Sequence, residues 1–331
     1  MTARATTAPD IRIGISGWRY RGWRGVFYPE GLVQRRELEY ASAHFDSVEI
    51  NGTFYGLQRP ERFERWRDAT PEGFVFAIKG SRYLTHMLKL RDAEIPLANF
   101  FASGPLALGS KMGPVLWQLP PQAPFDPARF AAFLDLLPRT TKEAARLAKK
   151  HDGRLAGIAW TRTDADRPIR HAIEPRHASF FTPAFVRLLR NHRVAFVFAD
   201  TAGVFPYAED LTADFVYLRL HGKGEIYAGG YDDSSLDEWA ARLRAWTCGA
   251  EPEDAKRIVG RPAPRARRRD AYVYFDNDAK VRAPFDALVL RRKLDLVSGC
   301  RDLRVAPAAP RLTADEIEAR RVEASARWKR G

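Results

Sequence analysis

The sequence predicts an α/β fold, a closed (β/α)₈ TIM barrel in a single domain with a C-terminal helical extension. Eight runs of strand length alternate with segments that carry helix signals, which is the pattern of such a barrel. No GxGxxG motif follows the first run, and eight repeats exceed the usual count of a doubly wound open sheet. We therefore favour the barrel over the open sheet.

The predicted strands are apolar runs rich in β-branched and aromatic residues. They are residues 11–16, 46–51, 73–79, 113–119, 169–174, 194–200, 214–221 and 271–276. The link between the sixth and seventh strands is short, so we expect its helix to be reduced to a turn.

Helix signals fill the first intervals between these strands. Residues 34–45 place apolar side chains at helical spacing, and Pro60 is positioned to open a helix that ends near Ala69. Residues 127–150 read as one long amphipathic segment that follows Asp126.

The later intervals carry capping signals. Thr182 and Pro183 are an N-cap and a first helical residue, and Ser234 or Ser235 is expected to cap the next helix. Residues 284–299 supply the helix that closes the barrel.

We expect three parts along the chain. A flexible N-terminal arm covers residues 1–10, the TIM-barrel domain covers 11–299, and a linker with a polar helix covers 300–331. Thr313 and Glu316 form a capping box in that last helix. Its apolar positions are sparse, so it is interpreted as a polar arm or an oligomer contact, and the oligomeric state stays open.

Composition limits the class of protein. The 331 residues are 45% hydrophobic and contain no run of 18 apolar residues, and residues 1–10 lack the apolar core of a signal peptide. We therefore expect a cytoplasmic protein with no membrane partner. Cys248 and Cys300 show no metal-binding spacing, so they are interpreted as unpaired thiols.

The net charge is +13, and much of the excess lies in residues 256–269 and in the last helix. Such charge raises nucleic acid as a partner. No aromatic residues are interleaved with the arginines of 256–269, which favours a solvated basic loop. A non-catalytic protein that binds nucleic acid through this loop remains one alternative.

Polar residues recur on one face of the predicted strands, near their ends. Alternate side chains face opposite sides of a strand, so Glu49 and Asn51 oppose Val48 and Ile50. In TIM barrels the catalytic groups lie at the carboxyl ends of the strands. We predict a polar cavity there, since unpaired polar groups are costly to bury.

By this reasoning the catalytic candidates are Glu49, Glu174, His177, Asp200 and His221. The predicted ligand-binding residues are Trp18, Asn51, Tyr55, Lys79, His86, Gln118, Arg176, Arg219, Tyr231 and Asn277. The eighth strand also ends in Asp276 and Asp278. The inward direction of Asp200 is open, because its face otherwise carries Phe196 and Phe198.

Charge balance at this end of the barrel favours a small anionic ligand, phosphorylated or carboxylated. Three carboxylates are opposed by Lys79, Arg176 and Arg219, with His177 and His221 able to titrate. The planar guanidinium group of arginine can donate two parallel hydrogen bonds to such an anion. A carboxylate with a displaced pKa would act as general acid or base. The reaction classes considered are hydrolysis and isomerisation.

A metal-dependent hydrolase, such as a phosphodiesterase or an endonuclease-like enzyme, is the other alternative. Its ion would lie between Glu174, His177, Asp200 and His221, with Glu49 or His86 as a further ligand. No HxH or HExxH spacing marks such a site, so a divalent metal is not favoured and the cofactor is left unknown. Serine-nucleophile and P-loop motifs are absent from the sequence.

Aromatic residues around the predicted mouth have two interpretations. Trp18, Tyr55 and Tyr231 would serve either as a stacking platform for a base or sugar, or as packing between the loops that cover the barrel.

Several of these segments together resemble the family named domain of unknown function 72. They are GISGWRYRGWRGVFYP, VEINGTFYGL, FAIKGSRYLTH, IEPRHASF, YLRLHG and YVYFDND, and the resemblance covers about residues 11–290. It implies a TIM barrel similar in outline to the xylose-isomerase and endonuclease-IV-like barrels, and it implies the location of the site but no reaction. Two departures are FDND followed by Lys280, where many members read FNN, and Phe180 after the EPRHAS-like residues.

Overall fold

The structure is a computed structural model that describes residues 10–260, 263, 266 and 268–296. Most of the predicted arm at 1–10, residues 297–299 of the closing helix, and the predicted extension at 300–331 lie outside the described residues. So do Cys300 and five positions of the basic loop at 256–269, whose predicted role stays a prediction.

Eight parallel strands close into a barrel in chain order, and β1 pairs with β8, which confirms the predicted TIM barrel. The strands are β1 (Ile11–Ser16), β2 (Ser47–Ile50), β3 (Val75–Lys79), β4 (Met112–Gln118), β5 (His171–Glu174), β6 (Ala195–Asp200), β7 (Phe215–Leu220) and β8 (Asp270–Phe275). All eight predicted strands are therefore present, with ends that differ by at most two residues.

Helices surround the barrel. They are α1 (Glu37–His44), α2 (Gly52–Tyr55), α3 (Pro60–Asp68), α4 (Glu94–Ala102), α5 (Pro127–Leu136), α6 (Thr141–Ala148), α7 (Pro183–His192), α8 (Asp233–Thr247) and α9 (Arg282–Lys293). Short 3₁₀ helices cover Arg21–Trp23, Gln34–Arg36, Pro105–Lys111, Gly153–Leu155 and Ala178–Phe180, and a π-helical turn covers Tyr83–Met87. No helix in this described part of the chain is long and apolar enough to span a membrane, and the cytoplasmic location remains a prediction.

Two helix predictions are wrong in detail. The segment 127–150 is two helices, because Pro138 forces the residue before it into an extended conformation and α6 then starts anew with Thr140 as its N-cap. Asp232, and neither Ser234 nor Ser235, caps α8, and its carboxylate accepts from the Ser235 backbone N–H at 2.8 Å.

Other predictions of this kind are confirmed. Thr182 caps α7 and Pro183 is its first residue. Residues 201–214, between β6 and β7, contain no helix.

Two apolar layers position the site. The larger layer lies between the strands and the helices and contains the outward-facing side chains of every strand. The smaller one fills the barrel interior below its mouth with Phe215, Tyr217, Tyr272, Tyr274 and small residues such as Ala77. Tyr274 shares a 2.7 Å hydrogen bond with the Ser47 hydroxyl, and both side chains are fully buried. The polar side chains at the next inward positions lie above this layer, which we call the aromatic floor.

Candidate active site

The guanidinium of Arg219, from the end of β7, is the centre of a buried polar network. It has no solvent exposure, and all three of its nitrogens donate to protein acceptors. These acceptors are Glu49 Oε2 at 3.1 Å and Oε1 at 2.9 Å, Glu174 Oε2 at 3.0 Å, Asp276 Oδ2 at 2.7 Å, Ser16 Oγ at 3.0 Å and His221 Nε2 at 3.0 Å. Arg219 thus joins four strands at the mouth.

Glu49 has both carboxylate oxygens fully engaged. Oε1 accepts from the Ser16 hydroxyl at 2.5 Å and from Arg219, and Oε2 accepts from the Tyr217 hydroxyl at 2.6 Å and from Arg219. The side chain is completely buried. Glu49 therefore has no lone pair directed at a ligand.

Glu174 is held in the same way on the other side of Arg219. Gln118 Nε2 donates to both of its oxygens at 2.9 and 3.0 Å, and Arg176 Nε donates to Oε1 at 2.8 Å. Burial alone would raise the pKa of Glu174, but the charges of Arg176 and Arg219 hold it well below its usual range. Glu174 is therefore a permanent anion within the structure.

His221 is a neutral part of this network. Its Nε2 accepts from Arg219, so Nδ1 carries the proton and donates to the Asp200 carbonyl at 3.1 Å. Burial and the charge of Arg219 lower the pKa of His221 to about 4. The imidazole therefore does not change its charge near neutral pH, contrary to the sequence prediction.

This geometry corrects several predicted roles. Glu49 and Glu174 are counterions of Arg219 and have no free oxygen for acid/base work. Arg219 has no free N–H for an anion. Gln118 is committed to Glu174. These residues form the base of the mouth, where their polar groups bind one another.

Lys79, at the end of β3, stands apart from this network. Only 9% of the residue is exposed, yet among the described residues its ammonium has no hydrogen-bond or ion-pair partner. Nζ lies 4.4 Å from the centre of the Phe54 ring. Burial, together with the charge of Arg219, lowers the pKa of Lys79 to about 8.

Arg176 follows β5 and is the second cation with donors to spare. Its Nε is bound to Glu174, while its guanidinium lies over the Phe205 ring at 4.6 Å. In the part of the chain that the structure describes, its two Nη groups have no hydrogen-bond partner, and 12% of the side chain is exposed. These N–H groups are available to a ligand.

His86 lies beside both cations. Its ring packs edge-on against Phe54, and Nδ1 is 2.8 Å from the Thr85 hydroxyl. Burial and the charges of Lys79 and Arg176 lower the pKa of His86 to about 4. The neutral imidazole therefore shares the surroundings of Lys79 and Arg176.

A cavity of about 510 Å³ opens beside the ends of β1 and β2. Trp18, Asn51 and Tyr55 line this cavity, and the sequence analysis predicted all three to lie near the mouth of the barrel. Asn51 Nδ2 donates to Ser16 at 3.1 Å, while its buried Oδ1 has no hydrogen-bond partner. Tyr55 is 71% exposed, whereas Trp18 is buried and packs edge-on against Trp66.

Four predicted site residues hold loops in place. Asp200 lies on the outward face of β6, as Phe196 and Phe198 do, and accepts from the Tyr231 hydroxyl at 2.8 Å. Asn277 is fully buried and donates to Gly229 O at 2.9 Å and to Asp286 Oδ2 at 2.8 Å. His177 caps the 3₁₀ helix Ala178–Phe180, where its Nδ1 accepts from the Ser179 N–H at 3.2 Å.

The predicted metal ligands do not converge. Asp200 and His177 point into loops, and the oxygens of Glu174 are directed at cationic groups and at Gln118. Within residues 10–260, 263, 266 and 268–296, no group of three or more His, Cys, Asp or Glu side chains is placed to hold an ion.

Phe205 has a direct role at the mouth and was not considered from the sequence. Its ring lies against the Arg176 guanidinium, as the ring of Phe54 in α2 lies against Lys79. Asp276, which the sequence placed at the end of the eighth strand without a role, completes the acceptors of Arg219. Phe205 lies in a loop, where strand periodicity gives no signal.

Comparisons with known proteins agree with this architecture. A sequence profile described as Protein of unknown function DUF72 matches residues 12–311. The UPF0759 protein YecE of Escherichia coli K12 is 34% identical over 131 residues, which are 39% of this chain and 44% of YecE. The UPF0759 protein YunF of Bacillus subtilis is 31% identical over 119 residues, 34% of this chain and 40% of YunF. The match thus spans less than half the length of these relatives.

Solved structures of the same family share the fold. A DUF72 family protein from Thermotoga maritima superposes with a TM-score of 0.65 at 24% identity, covering 86% of this chain and 99% of that one. Another from Enterococcus faecalis gives 0.61 at 16% identity, covering 87% and 97%. These similarities concern the fold alone, while the profile covers most of the sequence. The chain therefore belongs to the DUF72 family.

Proposed function

We propose that the chain is an enzyme that binds a small phosphorylated or carboxylated molecule at the carboxyl end of the barrel, with Arg176 as its principal anion contact. The observation that carries this proposal is the pair of unused Nη groups on Arg176, held in place by Glu174 and by the Phe205 ring. A planar guanidinium whose two Nη groups have N–H donors available can form hydrogen bonds with a phosphate or a carboxylate.

Local charge supports the same proposal. Glu49, Glu174 and Asp276 carry three negative charges, which Arg219, Arg176 and the protonated form of Lys79 balance, so no excess negative charge repels an anion. An anionic ligand can contact the Lys79 ammonium directly, because this group has no ion-pair partner among the described residues. The sequence assigned acid/base work to carboxylates, but the pKa of Lys79, near 8, makes its amine the better candidate for proton transfer.

Calorimetric titration with inorganic phosphate and with glycolaldehyde phosphate tests the proposal. Arg176→Gln should weaken binding of either ligand about tenfold or more, because hydrogen bonds to charged groups contribute about 1.5–3 kcal/mol.

The control is Arg170→Gln. Arg170 is also ion-paired, with its Nη1 2.7 Å from Asp270 Oδ2, but Asp270 begins β8 at the opposite end of the barrel. That variant should bind as the wild type does. Equal affinity in the wild type and in Arg176→Gln, or no binding by the wild type, would overturn the proposal.

A further inference from the structure

We infer that Lys79 is a nucleophilic amine that forms an iminium with the carbonyl carbon of the ligand, which is therefore a small anionic aldehyde or ketone. This inference rests on the proposed function for the anionic part of the ligand. It goes beyond that function by assigning a covalent step, a reacting atom and a substrate class.

The first argument is the absence of a partner for the ammonium group. A buried lysine normally donates to carboxylates or carbonyls, because an unpaired buried charge is costly. Lys79 is nine-tenths buried, and its Nζ lies 4.4 Å from the centre of the Phe54 ring, with no hydrogen-bond acceptor among the described residues. A lysine kept free in this way is suited to react, since nothing must be displaced from its nitrogen.

Lys111 shows the usual arrangement and serves as an internal comparison. Its Nζ donates to the carbonyls of Arg67 at 2.5 Å and Thr70 at 2.6 Å, and to the Thr70 hydroxyl at 3.1 Å. Lys111 thus fills all three of its donor positions. Lys79 has no such acceptors among the residues that the structure describes, although it is the more deeply buried of the two side chains.

The second argument concerns the charges that act on Lys79. Burial and Arg219 favour the neutral amine, while Glu49, Asp276 and Glu174 favour the ammonium form. The carboxylates are themselves bound to Arg219, so burial prevails and the pKa of Lys79 falls to about 8. At pH 7 roughly one molecule in ten then carries the neutral amine. Desolvation beside another cation is a known way to activate a lysine.

The third argument is the position of Lys79 relative to Arg176. The charges of both residues lower the pKa of His86, whose ring packs edge-on against the same Phe54 ring that Lys79 contacts. Lys79 ends β3 and Arg176 lies two residues beyond β5. One strand separates β3 from β5, and strands about 4.8 Å apart place the two backbones roughly 10 Å from each other. Long side chains shorten that distance. The inferred ligand, a molecule of two or three carbons with a terminal phosphate or carboxylate, would span the gap between the amine and the guanidinium.

The chemical step balances without a further reactant. The lone pair of the neutral Nζ attacks the carbonyl carbon and forms a C–N bond, while the C=O π electrons move to oxygen. A proton passes through water from nitrogen to that oxygen and gives a carbinolamine. The hydroxyl group then takes up one further proton from the solvent and leaves as water, while the nitrogen lone pair forms the C=N bond of the iminium.

Borohydride trapping tests this step on the wild-type chain. The protein is incubated with glycolaldehyde phosphate or with unphosphorylated glycolaldehyde, reduced with sodium borohydride, digested and mapped by mass spectrometry. We expect a reduced secondary amine on Lys79 in preference to Lys111. Lys79→Arg, which keeps the charge, should lose the label at this site, and Arg176→Gln should lose the preference for the phosphorylated probe.

The outcomes separate this inference from the proposed function. Preferential labelling of Lys79 by the phosphorylated probe supports both. Equal labelling of Lys79 by the two probes supports the nucleophile and overturns the anion contact. If calorimetry shows phosphate binding that depends on Arg176, yet Lys79 is labelled no faster than Lys111, the inference is overturned and the proposed function stands.

Discussion

Arg219 and Glu49 lie 170 residues apart in the chain and form a bidentate ion pair in which neither side chain is exposed to solvent. Two nitrogens of the guanidinium face the two oxygens of the carboxylate, and hydroxyl groups of Ser16 and Tyr217 complete the carboxylate shell. The pair links β2 to β7 across the barrel mouth. The pair therefore connects two distant strands of the barrel and also forms the base of the candidate active site.

Replacing Arg219 by Met should destabilise the protein strongly. The change leaves Glu49 and Glu174 buried with fewer positive partners, and breaking a buried pair in this way costs about 3–5 kcal/mol. Urea unfolding at pH 7 measures the loss. Because the cost is that of an uncompensated charge, Glu49→Gln in the Arg219→Met background should recover part of the stability.

A surface pair provides the control for this variant. Arg167 donates from both Nη groups to Asp164 at 2.7 Å, but that pair is solvent-exposed. Arg167→Met should cost less than about 1 kcal/mol. Similar losses in the two arginine variants would show that burial does not govern the Arg219 network.

Gly80→Ala should disturb the strand end that carries Lys79. An added Cβ would lie 2.2 Å from the Trp117 ring, and Trp117 is completely buried, so either the ring or the backbone must move. Overpacking of this kind costs about 1–3 kcal/mol. Thermal unfolding checks the loss, and calorimetry checks whether phosphate binding weakens with it.

Gly153→Ala is the matched control, because a Cβ at that position meets nothing within 4 Å. It should leave both stability and binding close to the wild type. A Gly80→Ala variant as stable as Gly153→Ala would contradict the close packing of Gly80 on Trp117.

His171 should make the stability depend on pH below neutrality. The imidazole is buried between Trp117 Nε1, which donates to Nδ1 at 3.2 Å, and the Pro138 carbonyl, which accepts from Nε2 at 2.8 Å. Burial lowers its pKa to about 3. As the pH falls below about 6.5, the unfolded chain takes up a proton that the folded chain does not, so stability is lost.

His171→Gln removes that titration. Between pH 7 and 5 the free energy of unfolding of the wild type should fall by roughly 2 kcal/mol more than that of the variant. Urea titrations at the two pH values measure the difference. Parallel curves for both proteins would indicate that His171 titrates alike in the folded and unfolded states.

Asp286 should make the stability depend on pH in the opposite direction, with a loss as the pH rises. Its carboxyl accepts from the Tyr231 N–H and from Asn277, and burial raises its pKa to about 6. The folded chain therefore holds this proton more tightly than the unfolded one. The stability that the raised pKa contributes is complete below about pH 4 and is lost as the pH rises through 6.

Asp286→Asn keeps an acceptor and removes the titration. From pH 4 to pH 7 the wild type should lose roughly 1–3 kcal/mol relative to this variant. Guanidinium-induced unfolding at each pH gives the comparison. A gain of the wild type over the variant in this window would exclude a raised pKa for Asp286.

Strand periodicity predicted the inward-facing set because a barrel interior imposes period two on every strand. Ser16, Glu49, Lys79, Glu174 and Arg219 all follow it. For Asp200 the rule left the direction open, because Phe196 and Phe198 share its face, and the structure places all three on the outward face. What failed was the assumption that a strand-end acid belongs to the cavity whatever its face.

The hydrogen-bond and ion-pair partners of these side chains could not be predicted from strand periodicity. Periodicity tells which side a residue faces, but not whether Arg219 uses its N–H groups on Glu49 or on a ligand. That choice depends on contacts between strands far apart in the chain. Likewise, the Phe54 ring that Lys79 contacts comes from the short helix α2, and strand periodicity does not predict where that helix lies.

The aromatic floor formed by Phe215, Tyr217, Tyr272 and Tyr274 lies below Arg219 in the barrel interior. We therefore expect a ligand of the proposed site to enter and leave at the carboxyl end of the barrel, past the loop that carries Arg176 and the helix α2 that carries Phe54.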